Sequence, residues 1–331
     1  YNHSLLIENY SYFLFSRSIA TFLFITYNHI FMKHPWRVLL LIVGFFVFSQ
    51  LFSLALFLLD IHQETIVVGN ESINISYHPD TVMGSRPTQR DLGAIIYIVI
   101  ALFISTLIAL LILKMTRPAP WRLFMFLAFF TAISIALGVL LPRIIALLLG
   151  AIIALLLVKK PIPIIINLAH LLAIPGIVIV FAPMLSPLWA LLLLIVISIY
   201  DYISVNITGH MIKLAKRSAK KLAVALVVPY KKDEWISEIK SISTSQKRPI
   251  AILGGGDLAF PALLLASFAE KAFNVLGSRL YAFLYSLPIM LGSVLGLVVL
   301  LILGSRDKFY PAMPLITLGA TIGLIISFLL L

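Results

Sequence analysis

The sequence predicts an all-α polytopic membrane protein of nine transmembrane helices, and three observations carry that prediction. Apolar residues make up 61% of the 331 positions and charged residues 11%; a water-facing surface needs far more polar side chains than that. Apolar runs close to the ~20 residues that cross a bilayer recur along the chain. Most of the 25 Lys and Arg residues fall in short segments between those runs, where they set orientation. The net charge of +12 is therefore read as topology and not as a nucleic-acid surface. There is no cysteine, which excludes disulfides, thiolate catalysis and cysteine metal sites.

The spans fall at 38–59, 93–113, 123–141, 144–158, 164–185, 188–208, 250–268, 280–303 and 314–331. The fourth is short and needs little tilt, shielding neighbours or a locally thinned bilayer. The fifth holds Pro175 and Pro183, so a kink is expected there. With the residues before Val38 in the cytoplasm, that side carries Lys33, Arg37, Lys114, Arg117, Arg122, Lys159, Lys160, the dense set from Lys213 to Arg248, Arg306 and Lys308. The other side carries Arg86, Arg90, Arg143, Lys271 and Arg279. This asymmetry puts the N-terminus inside and the C-terminus outside the cell membrane. The acidic loop 60–92 holds Asn-x-Ser sequons at Asn70 and Asn74, in keeping with an external position.

Four segments follow. Residues 1–31 are expected to be an N-terminal extension upstream of the natural start, or an interfacial helix. The apolar stretch 10–31 is interrupted by Arg17, Asn28 and His29, whereas Met32 and the basic flank up to Arg37 read like a start followed by a span; a tenth spanning helix is the alternative. Residues 32–208 hold helices one to six, 209–249 form a cytoplasmic loop that meets the membrane surface, and 250–331 hold helices seven to nine.

Of the 13 acidic residues, Asp201 and Asp257 sit inside long apolar stretches. A carboxyl in hydrocarbon costs at least a few kcal/mol, so such a residue is a functional candidate by default. Asp201 lies seven residues before the end of the sixth span and Asp257 seven after the start of the seventh. At 1.5 Å per residue both would sit roughly 10 Å below the same, cytoplasmic, surface. Sequential helices are usually neighbours, so the two carboxyls can face each other. Two carboxyls in a poorly solvated site do not readily both ionise; they share a proton and act as a unit. One member can then take a proton from water while the other donates to a carbonyl under attack, the chemistry of aspartic proteases.

The neighbours support a site. Gly254, Gly255 and Gly256 precede Asp257; they allow close backbone approach and weaken the helix, or serve small-residue helix packing. Pro311-Ala312-Met313-Pro314 opens the last span and cannot be regular helix throughout. Irregular backbone in hydrocarbon must be covered by protein or line a water cavity, which puts this segment near the aspartates; a plain helix start with Pro in its first turn is the other reading.

These residues resemble a known family. Tyr200-Asp201 resembles the YD motif of presenilins and signal peptide peptidases, Gly254-Gly255-Gly256-Asp257 fits their GxGD motif, and Pro311-Ala312-Met313 is similar to their PAL motif with Met313 in place of Leu, a volume-conserving exchange. The archaeal branch is more similar still: Tyr200 to Val205, His210 to Ala215 and Val227-Val228-Pro229 all match it. The resemblance runs from about Trp36 to the end. It implies a presenilin-like bundle of nine helices with a cytoplasmic N-terminus and Asp201 and Asp257 as catalytic pair. It implies no metal or other cofactor, membrane-spanning peptides or signal peptides as substrates, and no obligatory partner subunits.

Other features carry less. His170 and Asn167 lie in an apolar span and are read as helix–helix contacts. Gly292 with Gly296, and Gly319 with Gly323, are GxxxG packing faces. No HExxH, GxSxG or P-loop pattern occurs. A proton- or cation-coupled transporter is the alternative function, since intramembrane acids and broken helices also mark transporters, but no repeated pair of broken helices appears. Prepilin-type peptidases share GxGD but not the Tyr200-Asp201 and Pro311-Ala312-Met313 signatures.

Overall fold

The computed structural model describes residues 35–68, 71–115, 117–206, 225–238, 250–304 and 310–331. Among them nine helices follow in order: α1 Trp36–Asp60, α2 Leu92–Lys114, α3 Ala119–Gly138, α4 Arg143–Lys159, α5 Pro163–Phe181, α6 Pro187–Asn206, α7 Gly255–Leu276, α8 Arg279–Leu303 and α9 Met313–Leu330. Seven are long and apolar enough to cross a membrane; α4, at 17 residues, and the apolar part of α6, Pro187–Ile203, are shorter. The expected segment 1–31, most of the 209–249 loop, and Arg306 and Lys308 lie outside the described residues.

Helix α7 is the axis of the bundle. It packs against α1, α5, α6, α8 and α9, and 72% of its span is buried, against 11% for α2 at the periphery. Phe46 and Phe57 of α1, Leu193 and Leu194 of α6 and Ile289 of α8 belong to one buried apolar cluster with Leu264 and Phe268 of α7. Outward-facing Leu, Ile and Phe side chains of α2 and α4 are exposed, as expected where lipid is the solvent. Because lipid tails are as apolar as leucine, helices associate through close packing instead. Gly292 and Gly296 of α8 meet the backbone of α9 at Gly319 and Leu315, and Gly319 and Gly323 meet that of α8; a Cβ at any of the four would collide with main-chain atoms.

The structure departs from the sequence reading in three places. The 60–92 loop contains an antiparallel pair, β1 His62–Val68 with β2 Glu71–Tyr77, in which Thr65 lies opposite Asn74; Asn70 lies outside the described residues. A second pair, β3 Ala225–Pro229 with β4 Ile250–Gly254, joins the expected loop to the expected seventh span. The span 250–268 is thus corrected: its first five residues are strand, and α7 begins at Gly255 and runs to Leu276. A short apolar run cannot reveal by hydropathy whether it is strand or helix; Val227 and Val228 opposite Ile252 and Ala251 supply the β-branched pairing that decides it. One consequence is that Glu270 falls within α7, so Asp257 is not its sole acid. Finally, α5 continues through Pro175, and the expected break comes at a 3₁₀ turn, Ala182–Met184, that contains Pro183.

At the end of the bundle formed by the 60–92 segment, Asp60 is 6% exposed. Arg86 donates to both its oxygens through Nη2, at 2.9 and 2.8 Å, while its Nη1 and Nε donate to the carbonyls of Ile179 and Pro79. His78 donates from Nδ1 to Asp60 Oδ2 at 2.7 Å, and its Nε2 lies 3.7 Å from Glu270 of α7. Burial works against a charged imidazole here, but the Asp60 and Glu270 carboxylates outweigh it and hold His78 above its ordinary value of 6.5.

Removing Arg86 while keeping Asp60 leaves a buried charge without its partner. Arg86→Met is expected to lower stability by about 3–5 kcal/mol, read by reversible unfolding in detergent. The His78 contribution has a definite sign. A group whose folded value is raised stabilises fully below its unfolded value, about 6.5, and loses that contribution as pH rises through the folded value. Thermal stability should therefore fall as pH rises from about 6.5, and His78→Gln should flatten that part of the profile.

Candidate active site

Asp201 stands near the end of α6 and Asp257 in the first turn of α7. Both side chains are partly buried, on two helices that pack against each other. The third motif joins them on the Asp201 side. The first N–H groups of a helix have no intrahelical acceptor, and at the start of α9 a carboxylate from another helix supplies it: Met313 N–H donates to Asp201 Oδ2 at 3.2 Å, with a further backbone bond from Ala312. Pro314 occupies the first turn of a regular helix, and the segment before it lies against an aspartate. Deeper in the same interface, Ser198 of α6 and Thr317 of α9 share a buried hydrogen bond of 2.6 Å. Met313 is 2% exposed, an apolar plug under the junction.

On the Asp257 side the acceptor is also used locally: a backbone bond runs from Gly254 N–H to the carboxyl. Gly254 has φ −62° and ψ 141°, which any residue adopts, so its backbone does not require glycine. What requires it is space. A Cβ there would stand 3.0 Å from Asp257 Oδ2. The sequence reading gave the glycines to a neighbouring backbone; at Gly254 the space is filled by the aspartate, and Gly256 faces Phe260 of its own helix. Tyr200, beside Asp201 on α6, is 60% exposed.

Strand β4 leads straight into Asp257. In an antiparallel pair, residues alternate between exchanging both hydrogen bonds with their partner and pointing both groups away. Val227, opposite Ile252, turns its N–H and C=O outward to Asn167 of α5: Asn167 Nδ2 donates to Val227 O and Val227 N–H donates to Asn167 Oδ1, each at 2.8 Å. By the same alternation Ile252 turns its N–H and C=O to the opposite edge of the pair.

Sequence reasoning overlooked two residues here. Gln50 of α1, fully buried, donates from Nε2 to the carbonyl of Leu258 at 2.9 Å, one residue past Asp257. Pro261 of α7 lacks the N–H that would have bonded the Asp257 carbonyl, so the first turn of α7 is held less by itself and more by α1. A lone amide in an apolar span was the signal for Gln50, as it was for Asn167. His170, also singled out, lies apart from the aspartates; its Nδ1 donates to Ile166 O at 2.8 Å and its ring meets Phe129 of α3 edge-on. Among the described residues no group of three or more His, Cys, Asp or Glu side chains is placed to hold a metal ion.

Residues 71–331 match the family described as signal-peptide peptidase, presenilin aspartyl protease. The fold is similar to that of a presenilin family intramembrane aspartate protease solved in space group C222, at 22% identity and a TM-score of 0.57, over 88% of this chain and 99% of that one. It is similar also to one solved in space group P2, at 21% identity and a TM-score of 0.56, over 90% and 100%. Comparison with curated proteins gives no match. The chain belongs to the signal-peptide peptidase and presenilin family of aspartyl proteases. It is a multi-pass membrane protein and a peptide hydrolase.

Proposed function

We propose that Asp201 and Asp257 form a dyad that activates water to cleave the transmembrane segments of single-pass membrane proteins or signal peptides. The observation that carries this is the junction of α6, α7 and α9, which pack against one another and where each carboxyl accepts backbone N–H bonds from the motifs beside it. The ionised member takes a proton from water as the oxygen bonds to the scissile carbonyl carbon. The protonated member donates to the carbonyl oxygen, and the resulting diol collapses with loss of the amine. The outward edge at Ile252 supports a substrate that meets the site extended, since an unwound segment in hydrocarbon needs partners for its backbone. The Lys and Arg distribution supports a cytoplasmic N-terminus, an external C-terminus and a site reached from the cytoplasmic side. The enzyme is read as acting in the cell membrane without obligatory partner subunits.

Asp201→Asn and Asp257→Asn are each expected to reduce cleavage of a single-spanning peptide in liposomes to background while the protein still elutes and melts as the parent does; persistent cleavage in either would end the dyad reading. Gly254→Val separates activity from stability. Its backbone angles suit Val, so melting should hold, while the added Cβ displaces the Asp257 carboxyl and turnover should drop roughly 10- to 100-fold.

A further inference from the structure

Asn167 lies in a membrane-spanning helix, 2% exposed, and spends both ends of its amide on one residue of β3. An amide that gives a donor to a carbonyl and an acceptor to the N–H of the same residue reproduces what an adjoining strand would offer at that position. It therefore finishes the inner edge of a two-stranded sheet that would otherwise bury an unpaired N–H and C=O against α5, where each unmet group is expensive. It also has a mechanical consequence. Val227 is fixed to α5, Ile252 lies opposite Val227, and Gly254, two residues on, contacts the carboxyl of Asp257. The two Asn167 bonds, the β3–β4 ladder and the close approach of Gly254 to the carboxyl are each short-range. The outer edge at Ile252 and the carboxyl are thus held in one register relative to the bundle, and a slip of one residue would turn the whole strand over.

We propose that Asn167 is a positioning residue for cleavage: it clamps β3 at Val227 and so fixes which peptide bond of a bound membrane segment meets Asp257. This rests on the reading of Asp257 as a member of the dyad. Its amide is spent on Val227, and it acts through β3 and β4. A residue that merely stabilises the fold would change how much active enzyme there is, and the position of the cut would stay the same. A positioning residue changes the position.

The experiment uses the full chain in liposomes with a synthetic peptide carrying one apolar spanning segment, and product masses are read alongside kcat and KM. Two variants attack the clamp from its two sides. Asn167→Leu removes both bonds. Val227→Pro removes the N–H that faces Asn167 and keeps the carbonyl; the lost N–H points away from β4, so the β3–β4 ladder keeps its bonds. Both are expected to move the cut, or spread it, by one or more residues and to lower kcat roughly tenfold with little change in KM. Parental product masses from either variant, when it melts as the parent does, overturn the proposal whatever the turnover. If Asn167→Leu fails to fold, Val227→Pro decides by the same criterion. Asp257→Asn in the same assay keeps the two readings apart: cleavage that survives it sinks the dyad, whereas shifted products with an intact dyad requirement support the clamp.

Discussion

In hydrocarbon every main-chain N–H and C=O must find a partner inside the protein, and this constraint shapes the region around the two aspartates. A continuous helix meets it by itself. Here the chain is strand beside the site at β3 and β4, begins a new helix only at Met313, and lacks one helical N–H at Pro261 in α7. Two of these departures are met from another helix, with Asn167 bonding Val227 and Asp201 bonding Met313 and Ala312, and Gln50 of α1 adds a bond at Leu258 beside the third. The irregular backbone that an unwound substrate would need is thus present because three polar side chains, each on a different spanning helix, make it tolerable.

Asp201 shows what that arrangement demands. Its carboxyl accepts the orphan N–H groups of α9, which ties α6 to α9 and turns the oxygen toward the start of α9. Ser198 and Thr317 fasten the same two helices deeper down. The tie is directional. An acceptor is required, and a neutral amide of the same shape can still present its carbonyl oxygen to the α9 donors. A proposed catalytic carboxyl and a helix cap are the same group, which makes the alignment of α9 part of the site even though its motif contributes only backbone N–H groups and the buried Met313 side chain.

The sequence made much of this legible, for a physical reason. Charge in lipid is so costly that two aspartates in apolar runs stand out without any comparison, and Gly292, Gly296, Gly319 and Gly323 announce where α8 and α9 touch. Amides carry a smaller penalty, so Gln50 and Asn167 give a fainter signal of the same kind, and which backbone group each serves depends on pairings across 208 and 60 residues. The strand at Ile250–Gly254 was hidden because a buried strand and the first turns of an apolar helix have the same hydropathy. The glycines before Asp257 were recognised as a demand for space, but what fills that space at Gly254 is a carboxyl three residues on, which only the turn from strand into helix brings back. The Asp60, His78, Arg86 and Glu270 cluster spans α1, the following loop and α7 and has no local signature at all.

That cluster and the aspartates lie at opposite ends of one helix. Glu270 and Asp257 are 13 residues apart on α7, about 20 Å along its axis, with the most buried stretch of the bundle between them. Apolar packing alone sets an α-helix poorly along its own axis, because neighbouring turns present similar surfaces and lipid supplies no hydrophobic drive to prefer one. Polar contacts at both ends do set it. Glu270 faces His78 at one end, while Gln50 holds Leu258 and Gly254 holds the Asp257 carboxyl at the other. The same long, smooth helix that makes a good membrane core is a poor ruler unless its ends are marked, and here the marks sit where a carboxyl has to be placed to within a fraction of an ångström.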